Sequence, residues 1–217
     1  MQANISSPYT LYGAKGSGSA AVEAALIIAG AEYRLVEAAS WKPGRGLDAL
    51  RAINPLAQIP TLLLPDAGVL TESAAILIYL DTQFPGSGLL PADVLRKAQA
   101  VRGLVFIAAN CYAAIGVIDY PERWCSDPDE PLRERIISGS TRRLYEYWDT
   151  FADAFPAAPW LSGEFLGALD LLAATVSKWS GSRQHLAQSR PDFSALLEKI
   201  ESDPRVAPVF LKHWPKQ

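Results

Sequence analysis

Residues 54–73 read Asn-Pro-Leu-Ala-Gln-Ile-Pro-Thr-Leu-Leu-Leu-Pro-Asp-Ala-Gly-Val-Leu-Thr-Glu-Ser. Pro60 heads the strand-forming run Thr61–Leu64, the place in a strand where a missing N–H does least harm. Pro65-Asp66-Ala67-Gly68 has the chemistry of a tight turn: a fixed φ, a side chain that bonds its own backbone, and a glycine. That run and Val69-Leu70 therefore predict an antiparallel pair. Glu72-Ser73 then opens the apolar run Ala74–Leu80, closed by Phe84-Pro85, which reads as a helix with a carboxylate at its positively polarised start. The stretch is a β-β-α unit.

Upstream, Tyr9–Tyr12 is a short strand signal, followed by the loop Gly13-Ala14-Lys15-Gly16-Ser17-Gly18. A helix is expected from about Ala20 to Ala29, with Ser19 as its N-cap and Gly30 ending it. Apart from Glu23 it is apolar all round, which predicts burial. Tyr33–Glu37 is a second strand, and a strand-helix-strand unit of this length implies a parallel pair with a right-handed crossover. Ser40–Asn54 is a connector, loop at first and then a helical turn at Leu47–Ala52.

Downstream, residues 86–92 form a linker containing Gly86-Ser87-Gly88-Leu89-Leu90-Pro91, and strand signals cease beyond it. Helical spacing recurs over Asp93 to about Ile118, Pro131–Ala154, Leu169–Trp179 and Asp192–Ser202. The connection Asp119–Pro128 is aromatic and proline-bearing and is read as pocket lining. The division is residues 1–85 as a mixed domain, 86–92 as linker and 93–217 as a helical domain.

With 49% hydrophobic residues among 217, the chain can bury a substantial core. A net charge of -3 gives no basic footprint for nucleic acid. Apolar runs such as Ala24–Ala29 and Ala74–Leu80 fall short of the roughly 20 residues of a bilayer span. Met1–Pro8 has neither the basic start nor the apolar core of a signal peptide, so the expectation is a cytoplasmic protein without a membrane segment. Cys111 and Cys125 are too few for a disulfide framework, and with His185 and His213 as the only histidines no His-rich metal site is expected.

A proline-headed strand in a β-β-α unit, preceded by β-α-β and joined by a short linker to a helical domain, resembles the cytosolic glutathione transferase family. The likeness rests on the order and spacing of Leu11–Gly30, Asn54–Leu62, Thr71-Glu72-Ser73, Leu89-Leu90-Pro91 and Leu166-Gly167-Ala168-Leu169-Asp170. It implies an α/β plus all-α protein: a thioredoxin-like N-terminal domain (β-α-β-β-β-α) followed by an all-helical C-terminal domain that contributes the electrophile site. It further implies glutathione as co-substrate and a homodimer. By this resemblance Pro60 is cis, Ile59 offers its backbone to the cysteinyl part of glutathione, and Glu72-Ser73 holds the γ-glutamyl end. The chemistry is apt, because a carboxylate answers an ammonium while a hydroxyl and helix amides answer a carboxylate. Lys42 is a candidate for the glycine carboxylate.

Two departures from the family pattern stand out. Gly167, not Ser or Thr, precedes Asp170 by three residues, and Asp170 is read as a structural cap of a buried helix. At the catalytic loop the family's thiol-bearing position falls on Gly18 and a second common Ser position on Gly16. The hydroxyls left in reach are Ser17, then Ser19, then Tyr12. A thiol of pKa about 8.5 is mostly protonated at neutral pH, and a hydroxyl donor aided by helix amides would lower it by roughly two units. The electrophile is expected between this loop and the helical domain, lined by Phe106, Asn110, Tyr112 and Trp124. The resulting reading is a glutathione transferase acting on a small apolar electrophile. The alternatives are a glutathione-dependent isomerase, ether-cleaving enzyme or peroxidase on the same site, or a non-catalytic binding protein of this fold.

Overall fold

A central strand with both faces covered is buried along its whole length, and β1 (Tyr9–Gly13) is such a strand. The computed structural model describes residues 8–215; the segment read above for a signal sequence, residues 1–7, lies outside them. β1 is followed by α1 (Ser19–Ile28), β2 (Tyr33–Glu37), α2 (Arg45–Ile53), β3 (Thr61–Leu63), β4 (Val69–Leu70) and α3 (Ser73–Gln83). The sheet order is β2-β1-β3-β4, with β1 parallel to β2 and antiparallel to β3, and β3 antiparallel to β4. This is a thioredoxin-like half. Leu11 packs among buried residues of α1 and α3, and Tyr12 points to the other face, against Ala38 and Leu47 and Leu50 of α2.

Two local expectations are corrected. Ser19 is the first residue of α1 rather than its cap; Gly18 holds the N-cap position and no side chain caps the helix. The reason is that Ser19 Oγ turns back, accepting from Ala14 N at 3.3 Å and pairing with Ser17 Oγ at 2.8 Å. The connector helix runs a turn longer than Leu47–Ala52, because α2 docks on the end of β2: a β-carbon on Gly46 would strike the Glu37 carbonyl. The β3–β4 turn closes as its sequence predicts, with Leu64 N donating to Gly68 O at 2.7 Å and Gly68 N to Asp66 Oδ1 at 3.1 Å.

The second half consists of α4 (Val94–Phe106), a π turn (Ile107–Tyr112), α5 (Ala113–Asp119), a 3-10 turn (Pro121–Arg123), α6 (Glu130–Ala154), α7 (Ala168–Val176), α8 (Ser182–Ser189), α9 (Pro191–Ser202) and α10 (Ala207–His213). The sequence reading gave one helix where α4, the π turn and α5 follow one another. Their combined run Val94–Asp119, longer than the apolar stretches Ala24–Ala29 and Ala74–Leu80, is long and apolar enough, by length and composition alone, to cross a membrane. Here its buried side, including Leu104, Ile107 and Cys111, joins the core alongside α6 and α7. α8 and α10 lie outside the helical segments that the sequence spacing predicts. Leu186 is the one buried apolar residue of α8, too little for a stripe, and Pro208 obscures α10.

The core is continuous across the linker, running from Leu11 and Leu26 through Leu104 and Leu172 to Phe210. Buried Asp81 of α3 fastens the junction, accepting from Leu90 N at 2.9 Å and from Lys97 Nζ of α4 at 2.7 Å. Asp170, fully buried, accepts from the backbone amides of Leu161, Ser162 and Gly167. Gly167 has no side chain to cap α7, and Ser162 Oγ takes that place by accepting from Leu169 N at 3.1 Å. A β-carbon on Gly167 would collide with the Leu89 carbonyl, so the close approach of linker and α7 explains the glycine.

Candidate active site

A cleft of about 880 Å³ opens between the edge of the first half and the helices of the second, a volume suited to a small ligand. Gln58, Ile59 and Pro60 form one wall with Thr71, Glu72, Ser73 and Ala74; Gly16, Ser17 and Gly18 form the floor; Tyr112, Trp124 and Trp179 stand opposite.

Asn54 builds the first wall from within its own segment. Its Nδ2 donates to Gln58 O at 3.1 Å and to Thr61 Oγ1 at 2.9 Å, while its Oδ1 accepts from Leu56 N at 3.0 Å. Thr61 Oγ1 donates to the same Gln58 carbonyl. The Ile59–Pro60 peptide is cis. Among the described residues neither N–H nor C=O of Ile59 bonds to the protein, so the segment offers a single rung of a strand to an extended ligand.

Glu72 sits at φ 64°, ψ 110°, outside the regions an L-residue ordinarily occupies, a conformation of order 1–3 kcal/mol that clusters at ligand clamps. Its carboxylate is exposed and caps nothing. Beside it the open amides of the 11-residue helix α3 and Ser73 and Ala74 face the cleft. A carboxylate adjacent to a positively polarised helix start fits a ligand that carries an ammonium and a carboxylate on one carbon.

The floor is held differently. Ser17 Oγ donates to Ala14 O at 2.7 Å and pairs with Ser19 Oγ. Gly16 N donates to His213 Nδ1 at 3.2 Å, and Trp179 Nε1 donates to Gly16 O at 3.3 Å. With Nδ1 accepting, the imidazole proton lies on Nε2, directed at Glu23 Oε2 at 2.9 Å. Glu23, buried on α1, also accepts from Lys212 Nζ and Tyr33 Oη. Although burial opposes ionisation, these three donors together bring its carboxyl down to about 2. The end of the chain thus clamps the loop near its start.

Of the residues expected to touch ligands, Ser17, Ile59, Pro60, Glu72, Ser73, Tyr112 and Trp124 line the cleft. Tyr12 and Ser19 do not: Tyr12 packs under α2, and Ser19 is fully buried in the loop network. Lys42 is exposed and outside the lining, whereas its neighbours Ser40 and Trp41 belong to it. Phe106 and Asn110 stand on the far side of their helix. Phe106 packs against Tyr147, Phe151 and Phe155, and Asn110 Nδ2 donates to Phe106 O. Ala108, Tyr112 and Ile115 take the cleft face instead, and Leu172 and Trp179 come from α7 and its end. Asp119, Tyr120 and Arg123, which also line it, lie in the connection singled out for its aromatic character; the Arg123 guanidinium lies 3.9 Å over the Tyr120 ring. Burial pushes the Asp119 carboxyl up.

Elsewhere Ser189, His185 and Asp149 come together, but not as a nucleophile triad. Ser189 Oγ donates to Asp149 Oδ1 at 2.7 Å, and His185 meets both through the one atom Nε2. A hydroxyl spent on the carboxylate has no general base. Cys111 is buried, which pushes its thiol up, and Cys125 is partly exposed.

Residues 19–83 match the family described as the glutathione S-transferase N-terminal domain. An uncharacterised GST-like protein of Escherichia coli (strain K12), YncG, is 28% identical, with 94% of this chain and 97% of the relative covered. A maleylacetoacetate isomerase of Pseudomonas aeruginosa is 29% identical over 59% of this chain and 61% of its own. Among solved structures, a glutathione transferase homologue from Sulfitobacter with bound glutathione superposes with a TM-score of 0.79 at 25% identity, covering 93% of this chain and 96% of that one. A thioredoxin-like half with a free edge at a cis-proline, joined to a helical half across a ligand-sized cleft, agrees with all of these: residues 19–83 carry the glutathione S-transferase N-terminal domain, and the chain as a whole is similar to the cytosolic glutathione transferases.

Proposed function

We propose that this protein is a glutathione transferase-like enzyme that binds glutathione along Asn54–Ser73 and directs its sulfur at a small apolar electrophile. The observation that carries this reading is the free Ile59 backbone lying in the same wall as the exposed Glu72 carboxylate and the open start of α3. An extended tripeptide would lay its cysteinyl backbone on Ile59. Its γ-glutamyl ammonium would meet Glu72, and the carboxylate on the same carbon would meet Ser73 and the α3 amides. The sulfur then points towards Gly16–Gly18, and beyond it Ala108, Ala113, Ile115 and Leu172 offer apolar walls to an electrophile.

Calorimetric titration with glutathione tests the reading. The wild type is expected to bind, and Glu72→Ala to weaken binding by about 10- to 100-fold, the loss of one charge-assisted contact. Absence of binding at millimolar glutathione would overturn it. Isomerisation is a second reading, favoured by the likeness to the maleylacetoacetate isomerase. Product analysis separates the two, since an isomerase returns glutathione unconsumed and a transferase does not.

A further inference from the structure

Gly18 and Gly16 stand where the resemblance places the family's thiol-bearing residue and its second common Ser, yet the space at Gly18 is filled. A β-carbon built on Gly18 would collide with the hydroxyl oxygen of Tyr112; the next nearest atoms are Tyr112 Cζ at 3.4 Å and Pro60 Cδ at 3.6 Å. The phenol therefore reaches from the π turn of the helical half into the place a side chain at position 18 would occupy, between the loop and the Ile59–Pro60 edge. Among the described residues its hydroxyl makes no hydrogen bond to the protein. The ring rests against Trp179 with centroids 5.6 Å apart, and Trp179 is itself bonded to Gly16 O, so loop, tryptophan and phenol are fixed relative to one another. Ser17, by contrast, donates its hydrogen bond to Ala14 O, and Ser19 is sealed off.

We propose that Tyr112 is the thiol-activating residue, donating a hydrogen bond from the helical half to the sulfur of glutathione in place of a side chain at position 18. This rests on the reading that glutathione binds along Ile59 and Glu72. The thiol proton leaves to water, the sulfur is held as thiolate by the Tyr112 O–H, and its lone pair forms the C–S bond while the electrophile's leaving group departs with the pair it shared with carbon. Tyr112 keeps its own proton throughout. Burial, with the facing carboxylates Asp119 and Glu72 adding to it, pushes the phenol up to about 12, so it remains a donor across the working range.

The test is Tyr112→Phe, which keeps the ring and its packing. Glutathione affinity measured by calorimetry is expected to stay within about threefold, while the apparent pKa of the bound thiol, followed by ultraviolet thiolate absorbance against pH, rises by one to two units; turnover at neutral pH then falls about 10- to 100-fold. The double variant Tyr112→Phe with Gly18→Ser returns a hydroxyl to the vacated space and is expected to bring the thiol pKa back down, a recovery that loss of packing alone would not allow. If Tyr112→Phe binds glutathione with an unchanged thiol pKa, or if Ser17→Ala raises that pKa and Tyr112→Phe does not, the proposal is overturned. A wild type that binds no glutathione overturns instead the reading beneath it.

Discussion

The wall from Asn54 to Ser73 closes its hydrogen bonds among near neighbours, Asn54 with Leu56, Gln58 and Thr61. The facing loop from Ala14 to Ser19 is held from the other end of the chain, by His213 and Trp179 on Gly16 and by Glu23 behind them. One side of the cleft is a local device that a short segment can specify by itself. The other exists only when α10 has docked on α1, so its geometry depends on the completed fold. The contrast predicts that the two sides fail independently, with ligand grip lost by changes in the first and thiol chemistry by changes in the second.

The largest expected effect lies behind the loop. Glu23→Ala strands the buried His213 imidazole and removes the acceptor of Tyr33 and Lys212, and is expected to lower unfolding free energy by about 3 kcal/mol. Turnover should fall with it, while glutathione affinity, set by the opposite wall, changes little. The pH dependence identifies the carboxylate. The Glu23 carboxyl is brought from 4.5 to about 2, so its contribution is complete above about pH 4.5 and is lost as pH falls towards 2. Denaturant unfolding of the wild type should show that decline between those limits, and Glu23→Ala should flatten it. An equal slope in both proteins would show that the carboxylate of Glu23 is not what joins α10 to the loop.

Asn54→Ala should produce the converse pattern at smaller size. It leaves the Leu56 amide without its acceptor and takes one of two donors from Gln58 O, an expected loss of about 1–3 kcal/mol in stability. Because Ile59 is held by this network, glutathione affinity should fall in parallel, with the pKa of bound thiol unmoved. A variant that loses stability and keeps full affinity would break the comparison, since the wall would then be set by α3 and not by Asn54.

The difference in construction also explains what could be read in advance. Pro60, the Pro65–Gly68 turn and the Glu72-Ser73 helix start are adjacent in sequence, and each is a local signal, so the wall was legible residue by residue. Ser19 was read as a cap because the residue before an apolar run usually is one; the bond it makes to Ala14 depends on how the loop folds back. His213 and Trp179 bore no motif, lying in segments whose apolar stripes are short. Phe106 and Asn110 were placed in the cleft and Ala108 was not, because a helix that is apolar on most sides does not disclose which side meets the ligand. Gly167 departs from the family's Ser or Thr, and Ser162 fills its place from across a turn, a replacement made in space that adjacent residues do not disclose.

The smallest effect concerns Lys42, which the resemblance assigns to the glycine carboxylate of glutathione. Its side chain is exposed and lies outside the cleft lining, while Ser40 and Trp41, the latter 60% exposed, form that rim. Lys42→Ala is therefore expected to change glutathione affinity by no more than about twofold, within the ~0.5 kcal/mol typical of an exposed site. Trp41 covers more of the rim than a solvated ammonium at this position does. A tenfold loss in Lys42→Ala, measured by the same titration and abolished at high salt, would mean that the segment from Ser40 to Gly44 swings inward over the bound tripeptide. The wall would then also be completed by a segment outside Asn54–Ser73, and the contrast between a self-contained wall and a remotely held loop would narrow.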